Sequence, residues 1–157
     1  MIPELGHFAL ALACVLALVQ SVVPVVGAAR RDARWMATAG PLAAGQLVAV
    51  AAAFGCLLWA FAVNDTTVSN VVANSHSAKP MVYKLSGAWG NHEGSMVLWV
   101  LIRALCSGAV AAFGRELPSA LKARVIGVLG WVAAGFLLFI IFTSNPFVRV
   151  WPPPPDG

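Results

Sequence analysis

The sequence predicts an all-α integral membrane protein with four transmembrane helices. Three features support this: few charges, four long apolar runs, and basic residues confined to the segments between the runs. Of the 157 residues, 60% are hydrophobic and 10% are charged, and the mean hydropathy is +0.83. Soluble domains carry about a quarter charged residues, so this chain has too few to cover a water-facing surface. We therefore expect membrane lipid to be its solvent.

Four apolar runs are long enough to cross a bilayer. A helix needs about 20 residues to cross ~30 Å of hydrocarbon. Helix is the expected conformation because backbone groups in lipid must be hydrogen-bonded within their own segment. The predicted spans are residues 5–29, 42–63, 95–113 and 125–142.

The distribution of charge between the spans predicts their orientation. The two short connections are rich in arginine and lysine, which places them in the cytoplasm by the positive-inside rule. Residues 64–94 form a longer, charge-balanced connection, which we expect to be a structured periplasmic loop between spans 2 and 3. The proline-rich tail, residues 143–157, is expected on the same outer side, so the prediction is N-out/C-out. The basic residues of the short connections are Arg30, Arg31, Arg34, Arg115, Lys122 and Arg124.

The net charge of +4 does not indicate nucleic-acid binding. The basic residues form short clusters between apolar blocks, which is typical of membrane loops and not of a basic groove. We expect no nucleic-acid partner.

The predicted periplasmic loop contains a motif that runs from Trp89 to Ser95 at the entrance to span 3. Gly90, His92, Glu93 and Gly94 lie between these two residues. Ser95 is predicted to cap the helix, and Glu93 is predicted to lie at the positive end of its dipole. Trp89 is expected at the membrane interface.

Three histidines are predicted to lie near the outer surface. His76 and His92 are the candidates for ligating a metal ion or heme, because neutral imidazole is the usual axial ligand of heme iron. The alternative is that both are solvated interfacial side chains. His7 lies one turn into span 1, where a hydrogen-bonded side chain is the alternative to a ligand.

Arg103 is predicted to lie near the middle of span 3. A charge there costs about 2.5 to 3.5 kcal/mol on insertion scales, and no Asp or Glu lies inside any predicted span. Its partner could be a backbone carbonyl, an anionic ligand or a carboxylate on another protein; the alternative is an isolated arginine that reaches toward the interface.

The residues alone give no catalytic site. We find no Ser/His/Asp set on ordered elements, no paired membrane carboxylates, no Cys-x-x-Cys and no phosphate loop. These observations favour a membrane subunit with a structured outer loop, and they leave open a small transporter or channel-like subunit.

Four stretches resemble the cytochrome c maturation heme lyase family, which includes CcmF and NrfE. The Trp-Gly-x-x-Glu-Gly-Ser core is the most specific of them, and the four occur in the family's order. They are residues 1–10 (Met-Ile-Pro-Glu-Leu-Gly-His-Phe-Ala-Leu), 72–77 (Val-Ala-Asn-Ser-His-Ser), 84–99 (which include the Trp89 to Ser95 motif) and 136–147 (which include Phe-Thr-Ser-Asn-Pro-Phe).

The resemblance implies a multi-pass protein of the bacterial inner membrane that helps to attach heme to apocytochrome c. In this family, heme arrives from a periplasmic heme chaperone and its vinyl groups join the thiols of a Cys-x-x-Cys-His motif. Other cytochrome c maturation subunits present the reduced apocytochrome. Heme is therefore the cofactor that the family implies.

The chain also departs from the family. Family members are several times longer, and their tryptophan-rich, heme-handling segment and heme-ligating histidines lie beyond residue 157. None of His7, His76 and His92 matches one of those ligands, and Arg103 stands where family members are usually apolar. We therefore expect a truncated or split member that acts as a scaffold, and a non-functional fragment is the alternative.

Overall fold

The computed structural model describes residues 1–156 and is all-helical. Four of the helices are long and apolar enough to cross a membrane, which confirms the predicted fold class. Gly157, the last residue of the predicted tail, lies outside the described residues. The helices are α1 (Ile2–Arg30), α2 (Ala33–Ala37), α3 (Ala39–Ala62), α4 (Ser69–Asn74), α5 (Met81–Gly87), α6 (His92–Phe113) and α7 (Ser119–Thr143).

The four long helices alternate in direction, so the connections gather at two ends of the bundle. The short-loop end consists of residues 31–38 and 114–118. The long-loop end consists of the amino terminus, residues 63–91 and residues 144–156, and α4 and α5 give its long connection structure. The N-out/C-out orientation stays a prediction, because the helices alone do not say which end faces the cytoplasm.

Each long helix begins three to six residues before the predicted span. Hydropathy detects the apolar interior of a helix, whereas the helix itself continues through polar residues such as His92, Glu93 and Lys122. At its other end α3 stops at Ala62, and Val63 is its C-cap. The limits of the bilayer along these helices stay as predicted from the sequence.

The main seam of the bundle is formed by α1 against α3 and α7. Small side chains on α1, namely Ala9, Ala13 and Ala17, are buried along it. On α7, a Cβ added at Gly127 would lie 2.2 Å from the Val25 side chain, and one at Gly130 would lie 3.0 Å from the Ser21 amide nitrogen. Glycine at these positions lets the two backbones approach closely, which is how membrane helices gain packing energy.

Pro24 interrupts the hydrogen bonds of α1 within this seam. A proline has no N–H, so the carbonyl of Gln20 loses its usual helical partner. Next to it, the indole nitrogen of Trp131 on α7 donates a hydrogen bond to the Ser21 carbonyl oxygen at 2.6 Å. The Trp131 side chain therefore links α7 to α1 beside the position where α1 lacks a backbone hydrogen bond.

Helix α6 lies at the edge of the bundle, against α3 and α7. In the apolar 18-residue stretch of α6 only 22% is buried, compared with 39 to 44% in the corresponding stretches of the other three spans. Much of its surface therefore faces whatever surrounds the bundle.

Candidate functional site: a polar cleft at the long-loop end

The motif from Trp89 to Ser95 builds the turn that leads into α6. Asn91 is the N-cap: its side-chain oxygen accepts a hydrogen bond from the Gly94 amide at 2.7 Å, and its side-chain nitrogen donates to the Gly87 carbonyl at 2.6 Å. The predicted cap, Ser95, is wrong. Its hydroxyl donates to the His92 carbonyl at 2.9 Å, because the helix begins one turn earlier than hydropathy indicates.

Gly94 has a steric role in this turn. A Cβ at this position would lie 1.6 Å from the Ala88 carbonyl oxygen, which is buried backbone and cannot move aside. At Gly90 the corresponding distance to the Ser86 carbonyl oxygen is 3.1 Å. The two glycines of the motif therefore allow α5 to turn sharply into α6.

The remaining motif side chains point in different directions. Trp89 is 43% exposed, and its position at the membrane interface stays a prediction. His92 is exposed, and its ring meets that of Phe139 edge-on, with centroids 6.4 Å apart. Glu93 lies in the first turn of α6, as predicted, and lines a polar cleft.

This polar cleft has a volume of about 200 Å³ and lies between α4, the start of α6 and the end of α7. Among the described residues, the Glu93 carboxylate makes no hydrogen bond or ion pair. The cleft is thus an open pocket with one free negative charge. Its walls are Ser69, Asn70, Ala73, Asn74, Glu93, Thr143, Ser144, Asn145 and Val148.

Three asparagines give the cleft its hydrogen-bonding character. The side-chain nitrogen of Asn74 donates to both the backbone and the side-chain oxygen of Asn70, each at 2.9 Å. Asn70 is 6% exposed, and its own side-chain nitrogen has no partner. A buried amide without a partner costs about 1 to 3 kcal/mol, so it offers a donor to any group that enters. Asn145 accepts from the Phe147 amide at 2.9 Å and contacts a His7 ring nitrogen at 3.0 Å.

The tail fastens the long-loop end together. Arg149 forms an antiparallel bridge with Val68, and its guanidinium contacts Glu4, Thr67 and Asp65. The amides of Ser69 and Val150 complete the bridge, with bonds of 2.8 and 2.9 Å. These contacts join the first helix, the long connection and the tail.

Asp156 makes a second attachment farther along the tail. Its carboxylate accepts hydrogen bonds from the Asn64 side chain at 3.1 Å and the Ser77 amide at 2.9 Å, and it also bonds the Ser77 hydroxyl. His76 lies 3.6 Å from the same carboxylate. The tail therefore closes over the long connection.

The three histidines are not brought together as a ligand set. His76 faces Asp156, His92 faces Phe139 and His7 faces Asn145. Within residues 1–156 no group of three His, Cys, Asp or Glu side chains could hold a metal ion. No histidine lines the polar cleft, so these residues do not fit a heme that needs axial imidazole.

Arg103 finds one of the three partners considered from the sequence. Its guanidinium donates a hydrogen bond to the Leu129 carbonyl oxygen on α7 at 3.2 Å, while its Nε is buried without a partner. The charge is therefore only partly satisfied inside the bundle.

Hydropathy and charge did not predict a buried polar layer between the spans. The Gln20 side-chain nitrogen donates to the Ser107 hydroxyl at 3.1 Å and to the Ile126 carbonyl at 2.9 Å. Gln46 is 1% exposed, and its side-chain nitrogen has no partner. The signal was present as two glutamines within otherwise apolar runs, and such intramembrane polar side chains act as contacts between helices.

The whole chain resembles the amino-terminal part of known cytochrome c-type biogenesis proteins. It is 55% identical to CcmF of Pseudomonas aeruginosa, over all of this chain and 24% of that protein. It is 53% identical to CycK of Bradyrhizobium diazoefficiens, again over all of this chain and 24% of the relative. The chain thus spans about a quarter of the length of these relatives. No family model matches it.

A solved structure has the same fold. A cytochrome c heme lyase CcmF superposes with a TM-score of 0.89 at 25% identity, over 94% of this chain and 25% of the other. The four stretches that resemble this family meet at the long-loop end. His7 contacts Asn145, and Asn74, Glu93 and Asn145 line the polar cleft.

Proposed function

We propose that this chain is a membrane subunit of a cytochrome c maturation system. The proposal follows from the chain's correspondence to the amino-terminal part of the CcmF family of cytochrome c-type biogenesis proteins. In this role it assists heme delivery to apocytochrome c and the covalent attachment of the heme. Its partners are the other maturation subunits, a periplasmic heme chaperone and apocytochrome c.

The convergence of the four family-like stretches on the long-loop end carries this proposal. Residues that are distant in sequence, from His7 to Asn145, support one cleft that has a free carboxylate and an unpaired amide. The cleft has no activated nucleophile and no heme ligand. Positioning of partner segments is therefore the role that its chemistry fits, and heme chemistry belongs to residues outside this chain.

The proposed orientation places the long-loop end on the periplasmic side of the inner membrane. The short-loop end carries the clustered arginines and lysines, which favours the cytoplasm. A chain with Cys14, Cys56 and Cys106 replaced by alanine and one new cysteine would test this. A membrane-impermeant maleimide added to spheroplasts should label Ala78→Cys and should spare Leu117→Cys; the reverse pattern would contradict the proposed orientation.

A split-protein complementation experiment tests the function. In Pseudomonas aeruginosa, CcmF would be replaced by a version without its first quarter, and this chain would be supplied separately. We expect heme-stained c-type cytochrome when both pieces are present and none with either alone. If the chain is present in the membrane and no heme attachment returns, the proposal fails.

Variants of the cleft make the same experiment residue-specific. Glu93→Gln and Asn70→Ala remove the free carboxylate and the unpaired donor, and we expect each to lower heme attachment about tenfold. Arg115→Met, at the short-loop end, is the matched control and should have no effect. Equal heme attachment with all three variants would show that the cleft does not contribute to the function.

A heme-loading assay distinguishes a scaffold from a heme carrier. We expect the purified chain in detergent to show no stoichiometric Soret band, because its histidines are dispersed. A b-type spectrum that is lost in His76→Ala or His92→Ala would overturn the scaffold role.

A further inference from the structure

Arg103 lies near the middle of α6. It is eleven residues from the start of α6 at His92 and ten from its end at Phe113, which is roughly 15 Å from either end. This position is near mid-membrane for the predicted span of residues 95–113, and a charge at such a depth is costly unless it is paired. The Leu129 carbonyl satisfies one nitrogen, and the buried Nε has no partner.

An open apolar groove runs between α6 and α7 beside this charge. It has a volume of about 480 Å³ and is lined by Met96, Val132, Gly135, Phe136 and Phe139. Met96 lies two helical turns before Arg103 and therefore on the same face of α6. On α7, Val132 lies about one turn after Leu129, the residue that Arg103 contacts. Arg103 does not line the groove itself and lies beyond its end nearer the short-loop end.

The groove has the shape of a helix-docking surface. A Cβ at Gly135 would meet no atom within 4 Å, so the α7 backbone is exposed there to close approach. Val132 and Phe139 on either side of it are 38% and 42% exposed. Small residues flanked by larger ones are typical of interfaces between membrane helices.

The distribution of charge in the bundle indicates what kind of helix would fit the groove. Among the described residues of the four long helices, the acidic side chains are Glu4 and Glu93, and both lie in a first turn and not at the depth of Arg103. Acyl chains could fill the groove but carry no negative charge at that depth. A carboxylate on a neighbouring transmembrane helix could pair with the guanidinium, whose Nη1 makes no hydrogen bond among the described residues.

We propose that the α6–α7 groove binds a transmembrane helix of a partner chain, and that an Asp or Glu at mid-membrane on this helix pairs with Arg103. The partner packs on Gly135 and supplies the missing acceptor for the guanidinium. This inference rests on the charge and the groove and does not depend on the role in cytochrome c maturation.

A designed peptide tests the proposal with the full chain in phosphatidylcholine liposomes. The probe is a 24-residue leucine/alanine helix with Glu at its centre, compared with otherwise identical peptides that carry Gln or Leu. Association is followed by Förster transfer to a fluorescent protein fused to the chain. We expect the Glu peptide to half-saturate at a peptide concentration about tenfold lower than the Leu peptide.

Arg103→Met should abolish this preference, whereas Arg124→Met, which removes a charge near the start of α7, should keep it. With a ¹³C-labelled Glu side chain, the infrared spectrum should show the ionised carboxylate beside the unmodified chain and the protonated acid beside Arg103→Met. Equal association of the three peptides, or a Glu preference that survives Arg103→Met, would overturn the proposal.

Gly135→Leu tests the groove separately from the charge. It should weaken association of all three peptides, while Gly55→Leu, at an equally open glycine on α3, should not. If Gly135→Leu leaves binding unchanged, the peptide lies elsewhere and the groove is not the docking surface.

Discussion

At the long-loop end, side chains join segments up to 145 residues apart, whereas the side-chain bonds at the short-loop end span at most 11 residues. Glu4 and Arg149 form the longest of these links. At the other end Asp32 accepts from Arg34 and Trp35, two and three residues away, and the Thr38 hydroxyl donates to the Trp35 carbonyl. Short connections need only local caps because the helices that they join already pack together. The extra links at the long-loop end hold an arrangement that helix packing alone does not specify.

The largest difference between the two ends should be in how much stability is lost when one glycine is replaced by alanine. Gly94→Ala places a Cβ against the Ala88 carbonyl oxygen, and we expect it to lower the free energy of unfolding by about 3 kcal/mol. Gly40→Ala near the start of α3 meets no atom and should be neutral or stabilising by up to about 1 kcal/mol. Thermal unfolding in detergent, followed by circular dichroism, measures both. Equal stability of the two variants would contradict the turn geometry.

Loss of Arg149 should have an intermediate and local effect. Arg149→Met removes the contacts with Glu4, Thr67 and Asp65, so the bridge beside them opens more often. Hydrogen exchange at the Ser69 and Val150 amides should become about tenfold faster. Arg115→Met, at the short-loop end, should leave these amides unchanged; an equal acceleration in both variants would mean that net charge, and not the contact, protects the bridge.

The smallest effect should come from neutralising one aspartate at each end. Asp156→Asn weakens the bonds to Asn64 and Ser77, so limited proteolysis of the tail should become several-fold faster while global stability changes by less than about 0.5 kcal/mol. Asp32→Asn keeps an oxygen that caps α2 equally well and should change neither quantity. Unchanged proteolysis of the Asp156 variant would show that the bridge at Arg149 alone holds the tail.

The same contrast explains which features could be predicted from the sequence. The four long helices follow from hydropathy, because an uninterrupted apolar run in lipid has no alternative to a helix. The start of α6 was misplaced because both Asn91 and Ser95 are good capping residues, and hydropathy favoured the one beside the apolar run.

The cleft could not be predicted from residue spacing. Asn70, Glu93 and Asn145 come from three separate segments, which meet only where α4, the start of α6 and the segment after α7 line the same cleft. The family resemblance identified most of these segments but not their meeting point. Arg103 could be recognised as anomalous from its sequence neighbours, whereas its contact with Leu129 depends on the crossing of two helices.

The α1–α7 seam has a consequence for biosynthesis. Helix α1 ends at Arg30 and its most extensive partner begins at Ser119, so 88 residues are made between them. At about 5 to 20 residues per second, the first helix waits roughly 4 to 18 s before the last one emerges. For most of this interval Gln20 lacks the Ser107 hydroxyl of α6, and throughout the interval it lacks the Ile126 carbonyl of α7. The insertion machinery, or an early contact with α3, must shelter that side chain until synthesis of the bundle is complete.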